Sequence, residues 1–177
     1  MSQQPAPSRY RPLQVSLHWL TFLLIAAEFV VGKNMSRISN DDVGKIAPLA
    51  IHMMIGVLIL LAVIIRIAAL RKFPPPEPIS TGNTALDVLA KLTHGALYLF
   101  TLLMALSGII LSLQAGVGKA LLGGGALPAD FLDFTARALH GFIAPSLFAL
   151  IVLHVVGALY HQLVLKDGLM ERMKVGK

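Results

Sequence analysis

Residues 139–161 read LHGFIAPSLFALIVLHVVGALYH. Three histidines punctuate an otherwise apolar run that extends from about Phe134 to Leu165, with Arg137 near its start. At 1.5 Å rise per residue, such a run exceeds the ~20 residues an α-helix needs to cross a ~30 Å hydrocarbon core. Three further segments share its character. They run from about Leu13 to Val31, with His18 and Glu28; from about Ile46 to Leu70, with His52 and Arg66; and from about Leu86 to Leu113, with Asp87, Lys91 and His94. The expected fold is all-α, an integral membrane bundle of four transmembrane helices forming one domain over residues 1–177. The ~10-residue alternating segments of a membrane β-barrel are absent.

Composition agrees with a membrane environment. Of 177 residues, 56% are hydrophobic and 14% charged, against roughly 25% charged in soluble domains; mean hydropathy is +0.75. The net charge of +6 comes from basic residues that bracket the apolar runs, which fits a membrane surface and not nucleic acid. No cysteine is present, which excludes disulfides, cysteine-ligated iron–sulfur clusters, thiolate zinc sites and CxxCH-attached haem. The linkers are Gly32–Lys45, Arg71–Ala85 and Gln114–Asp133; the third contains Gly123-Gly124-Gly125 and reads as a flexible turn.

Arg9, Arg11, Arg71, Lys72, Lys91, Lys166, Arg172, Lys174 and Lys177 fall on the side that carries both termini. Lys33, Arg37, Lys45, Lys119 and Arg137 fall on the other. The excess of positive charge predicts that both termini are cytoplasmic.

All six histidines lie in or at the end of an apolar span, where ionisable groups are costly and usually functional. Depth sorts them. His52 lies ~9 Å into its helix and His140 lies at a similar depth in the fourth, both counted from the periplasmic side. His154 follows His140 by fourteen residues, ~21 Å and nearly four whole turns, so the two share a face. His18, near the start of the first helix, comes close to the depth of His154. Two planes result, His52 with His140 and His18 with His154. Each could be a pair of core histidines bonded to nearby carbonyls. Two facing imidazoles per plane, without cysteine or a carboxylate cluster, fit bis-histidine ligation of b-type haem. Zinc would want three or four protein ligands in one place. Gly56, Gly141 and Gly157 lie close in sequence to His52, His140 and His154 and offer clearance for a flat macrocycle, or simple helix packing. His161, near the face of His154 at headgroup depth, remains open as a partner for His18 if the helix tilts. Otherwise His161 and His94 are candidates for proton or quinone chemistry, or interfacial anchors.

With Ser16-Leu17-His18-Trp19, the His52…Arg66 span, Leu92-Thr93-His94-Gly95, Leu139-His140-Gly141 and Leu153-His154 through His161, the chain resembles the bacterial di-haem cytochromes b of the five-sixty-one type. That family includes superoxide oxidase and is related to cytochrome b subunits of nickel–iron hydrogenases. The resemblance implies two haem b groups, ligated by His18, His52, His140 and His154. It also implies ubiquinone reduction at the cytoplasmic-side haem, where His161, Ser16 and Trp19 would lie. Superoxide is then the expected donor at the periplasmic side of the bacterial inner membrane. The alternative is an electron-transfer or anchor subunit fed by a periplasmic dehydrogenase or hydrogenase. Lys45 and Arg137 flank the His52/His140 plane and are the candidate cations for guiding an anion inward. Haem propionates or loop acids are their other possible partners.

Overall fold

The computed structural model describes residues 9–174. It is entirely helical, with α1 (Pro12–Met35), α2 (Ile46–Lys72), α3 (Thr84–Gln114), a short α4 (Val117–Leu121) and α5 (Thr135–Tyr160). Four helical segments are long and apolar enough to span a membrane: Pro12–Met35, Val43–Lys72, Thr84–Gln114 and Thr135–Leu165. The protein is thus a multi-pass membrane protein. Its many exposed large side chains, among them Leu23, Val30, Leu61, Leu92 and Phe142, are what a bundle facing lipid presents. A helix surrounded by hydrocarbon satisfies every backbone polar group internally, so apolar side chains can cover all its faces.

Local signals explain the helix ends. Pro12 starts α1 at a position where its missing N–H costs nothing. Asn83 caps α3 by accepting from Ala85 N and Leu86 N. Past Tyr160 the chain widens into a single π-turn over His161–Leu165, closed by Lys166 N donating to His161 O over 2.7 Å. Lys166 then takes a left-handed φ of 52°. The linker after α3, expected to be loop, contains α4. Gly116, at φ 63°, allows the reversal into it. Val117, Ala120 and Leu127 pack on Leu49 of α2. The linker is therefore folded down on α2 three residues before His52.

Two helical hairpins make the bundle. α1 packs along α2 and α3 along α5, while α2 meets α3 less extensively. The backbone of α5 makes few close approaches to α1 or α2, and Phe29 of α1 meets Phe148 of α5 with ring centres 5.6 Å apart. Histidines face one another across the gap this leaves. Both described ends of the chain lie at one end of the bundle, where Trp19 Nε1 donates to Met173 O over 3.0 Å and Gln14 Nε2 donates to Phe73 O over 2.9 Å. We call this the terminal end, and the opposite end, which carries α4, the loop end.

Candidate functional site

Two pairs of half-buried histidines span the gap. At the loop end, the ring centres of His52 on α2 and His140 on α5 are 6.1 Å apart. At the terminal end, those of His18 on α1 and His154 on α5 are 6.0 Å apart. A metal held in line by two imidazoles sits about 2 Å from each nitrogen, with each ring centre about 1 Å further back, which places the centres roughly 6 Å apart. Both pairs meet that requirement. Among the described residues, no group of three or more His, Cys, Asp or Glu side chains is arranged to hold a metal ion. An all-protein zinc site is therefore not built there, whereas His52 with His140 and His18 with His154 would each suffice to hold a haem, which would supply one-electron chemistry.

The surroundings of each ring differ. Ser107 Oγ lies 3.0 Å from His140 Nδ1 and donates to Met104 O. It therefore accepts the Nδ1 proton of His140, leaving Nε2 free to ligate. Glu28 Oε1 lies 2.9 Å from His52 Nδ1. That approach is off the line of a hydrogen bond, so His52 Nδ1 and the second oxygen, Glu28 Oε2, are both buried without a bonded partner. At the terminal end Arg66 Nη2 donates to His18 Nδ1 over 3.2 Å, and the Arg66 guanidinium also lies over the Tyr98 ring. Ligation through Nε2 would put the ring proton on Nδ1 and turn this contact into a bare cation beside the imidazole.

His94 joins the same end. Its ring centre is 4.9 Å from that of His154, too close for the two to share an in-line metal. Its Nδ1 lies 2.7 Å from Ala90 O, so the Nδ1 proton is donated to that carbonyl. Of the two rings beside His154, that of His18 lies at the in-line separation and that of His94 lies closer.

Glycines keep the rings in place, but not those singled out from sequence proximity. A Cβ on Gly32 would lie 3.3 Å from His52 Cε1, and one on Gly108 would lie 3.3 Å from His140 Cε1. Gly157 has nothing within 4 Å, Gly56 faces Glu28, and Gly141 is filled by the Arg137 guanidinium. Gly32 and Gly108 lie on helices other than those of the histidines they touch, so adjacency in the chain could not reveal them. Gly108→Val should push the His140 ring off its position at a cost of about 1–3 kcal/mol. Lower haem occupancy in the purified variant, read from the Soret-to-protein absorbance ratio, is the expected result. An unchanged ratio would show that the ring tolerates the displacement.

The remaining candidates are dispersed. Lys45 is only 7% exposed; its ammonium donates to Ile38 O over 2.7 Å and to Asn40 Oδ1 over 2.5 Å. Asn40 in turn donates to Pro128 O and Ala129 O. Lys45 thus fixes Asn40, which ties the two loop-end linkers together. Arg137 is partly exposed. His161 is buried, with its Nδ1 2.5 Å from Asp167 Oδ2. Covering the Asp167 carboxyl raises its pKa, but the hydrogen bonds from His161 and Leu169 N outweigh this and hold it below the usual carboxylate range. Trp19 packs edge-on against His18, with ring centres 5.3 Å apart. Ser16 is exposed on α1 and touches none of these rings.

A gap between membrane-spanning hairpins, crossed at two levels by facing imidazoles, defines a class: membrane cytochromes that carry electrons on haem. The family model for prokaryotic cytochrome b561 matches residues 9–176, and the chain belongs to that family. It is thus a haem-containing electron-transport protein. Among curated proteins it is similar to cytochrome b561 homolog 2 of Escherichia coli, at 30% identity, covering 98% of this chain and 95% of that one. It is likewise 30% identical to a cytochrome b562 of Cereibacter sphaeroides, covering 98% of each. It is 28% identical to a probable superoxide oxidase, CybB, of Yersinia pestis, covering 93% of this chain and 95% of that one.

Proposed function

We propose that the chain is an inner-membrane superoxide:ubiquinone oxidoreductase, in which His52 and His140 hold one haem b towards the periplasm and His18 and His154 hold a second towards the cytoplasm. The observation that carries the reading is the repeated separation, 6.1 Å and 6.0 Å, at two levels of one gap. The printed name of the Yersinia pestis relative supports the donor, and the distribution of Lys and Arg supports the orientation. When bound, the haems supply one-electron carriers, which no side chain of this protein can replace.

The chain supplies geometry, charge and protons. Two superoxide ions give up one electron each and leave as dioxygen; one ubiquinone takes both electrons and two protons and becomes ubiquinol. Superoxide is anionic, and Arg137 at the loop end, backed by the fixed charge of Lys45, draws it to the His52/His140 pair. Ubiquinone is apolar and enters from the bilayer at the terminal end. There His161 faces the proton requirement. With Nδ1 held by Asp167, Nε2 is the ring atom left to face a quinone oxygen, and it donates there when it carries the second proton of the imidazolium. Trp19 walls the His18 side, and Ser16 offers a hydroxyl on the bilayer side of α1.

The test is direct. The purified chain alone should show the visible spectrum of a low-spin b-type cytochrome, superoxide should reduce it, and added ubiquinone should reoxidise it. Superoxide that leaves a fully haem-loaded protein oxidised would overturn the donor assignment. It would favour instead a carrier that receives electrons from a periplasmic redox protein.

A further inference from the structure

The two histidine pairs stand in opposite electrostatic surroundings. At the loop end a carboxylate oxygen of Glu28 is 2.9 Å from His52 Nδ1, inside an apolar span, with its other oxygen buried and unpartnered. At the terminal end a guanidinium nitrogen of Arg66 is 3.2 Å from His18 Nδ1. Among the described residues no ion pair joins a carboxylate to His18, His94 or His154. Two cations stand at the loop end: Lys45, whose ammonium is bonded to Ile38 O and Asn40, and Arg137. Arg137 lies against the main chain of Gly141, where an added Cβ would meet its Nη1 at 2.7 Å. It sits beside the backbone next to His140 and makes no hydrogen bond to either ring, so it offsets Glu28 only in part.

We propose that Glu28 and Arg66 set the direction of electron transfer, Glu28 making the His52/His140 site the weaker electron acceptor and Arg66 making the His18/His154 site the stronger. The inference rests on the reading that both pairs hold haem. Its physics is elementary. An oxidised haem iron carries one more positive charge than a reduced one. A carboxylate beside a ligating imidazole would favour the oxidised state through its field. A guanidinium in the same place favours the reduced state. Both charges sit within helices that face hydrocarbon, where screening by water and salt is weak. Each electron taken at the loop end is therefore passed downhill to the terminal end, and the oxidised loop-end site is ready for the next donor. Both residues act through the imidazole they face and are positioning residues. Neither needs to touch a substrate.

The experiment is a spectroelectrochemical titration of the purified, haem-loaded protein, fitted as two one-electron components. Glu28→Gln keeps size and polarity but removes the charge. It should raise the lower-potential component by at least tenfold in its reduction equilibrium, about 59 mV for one electron, and leave the upper component in place. Arg66→Gln should lower the upper component by a similar factor, and Arg66→Lys should restore it. If Glu28→Gln shifts the upper component, or if neither charge-removing variant moves either component, the inference is wrong. If Glu28→Gln fails to assemble, the comparison of Arg66→Gln with Arg66→Lys decides it alone. A wild-type protein that binds no haem, or only one, would overturn the functional reading itself, which is a different result from unmoved potentials in a doubly loaded protein.

Discussion

Replacing His140 with alanine is expected to empty one haem site and leave the other filled, and His52→Ala is expected to empty the same one. The two rings face each other at 6.1 Å from helices whose backbones make few close approaches. Removing one would leave a single imidazole of this chain at that level, too little to hold the group there. The haem-to-protein ratio should fall by about half in either single variant and no further in the double variant, since each loss already empties that site. His18→Ala and His154→Ala should behave as a second, independent couple. A His161→Ala protein that loses a haem while His154→Ala keeps both would reassign the terminal-end pair.

The second large effect is expected at His161, with both haems retained. His161→Ala or His161→Leu should leave reduction by superoxide intact but slow reoxidation by ubiquinone by about 10²-fold or more, the usual worth of a positioned proton donor. Asp167→Asn is the companion variant. It keeps a side-chain acceptor near Nδ1 but removes the carboxylate charge, so it should slow reoxidation less than His161→Ala does. The pKa of Asp167 lies below the usual carboxylate range because His161 and Leu169 N hydrogen-bond to it, so its contact with His161 keeps a carboxylate partner at neutral pH and loses it only as pH falls through that lowered value. Stopped-flow reoxidation at several pH values reads both variants. Unchanged kinetics in a fully loaded His161→Ala protein would remove His161 from the reaction and turn attention to His94, whose ring lies 4.9 Å from that of His154.

Helix number and the pairing of histidines by depth could be read from the sequence, because hydrophobic length and residue count along a helix are one-dimensional properties. Rotation about each helix axis could not. A helix apolar on all faces has no amphipathic stripe to show which side turns inward. For this reason proximity in sequence points to Gly56, Gly141 and Gly157, whereas Gly32 and Gly108 are the glycines that touch the rings. The facing of Glu28 to His52 was likewise invisible, since the two belong to different helices. Lys45 reads from sequence as a free flanking cation, but the turn preceding α2 folds its ammonium back onto Ile38 O and Asn40. His161 drew attention through its spacing from His154. Its partner Asp167 follows a π-turn that no regular helical count anticipates.

The sparse contact between the two hairpins has a consequence for biogenesis. The α1/α2 and α3/α5 hairpins can each insert and close independently, but little direct packing draws α5 against α1 and α2. Crosslinking by the prosthetic groups would supply the missing cohesion, so cofactor delivery becomes the last step of maturation, with its binding energy counted as folding energy. A newly inserted chain awaiting haem would then be a pair of hairpins hinged along α2 and α3, with polar histidine faces turned to one another. Quality control could recognise such a chain by its looseness, and the cell's haem supply would set how much cytochrome accumulates without any change in its synthesis.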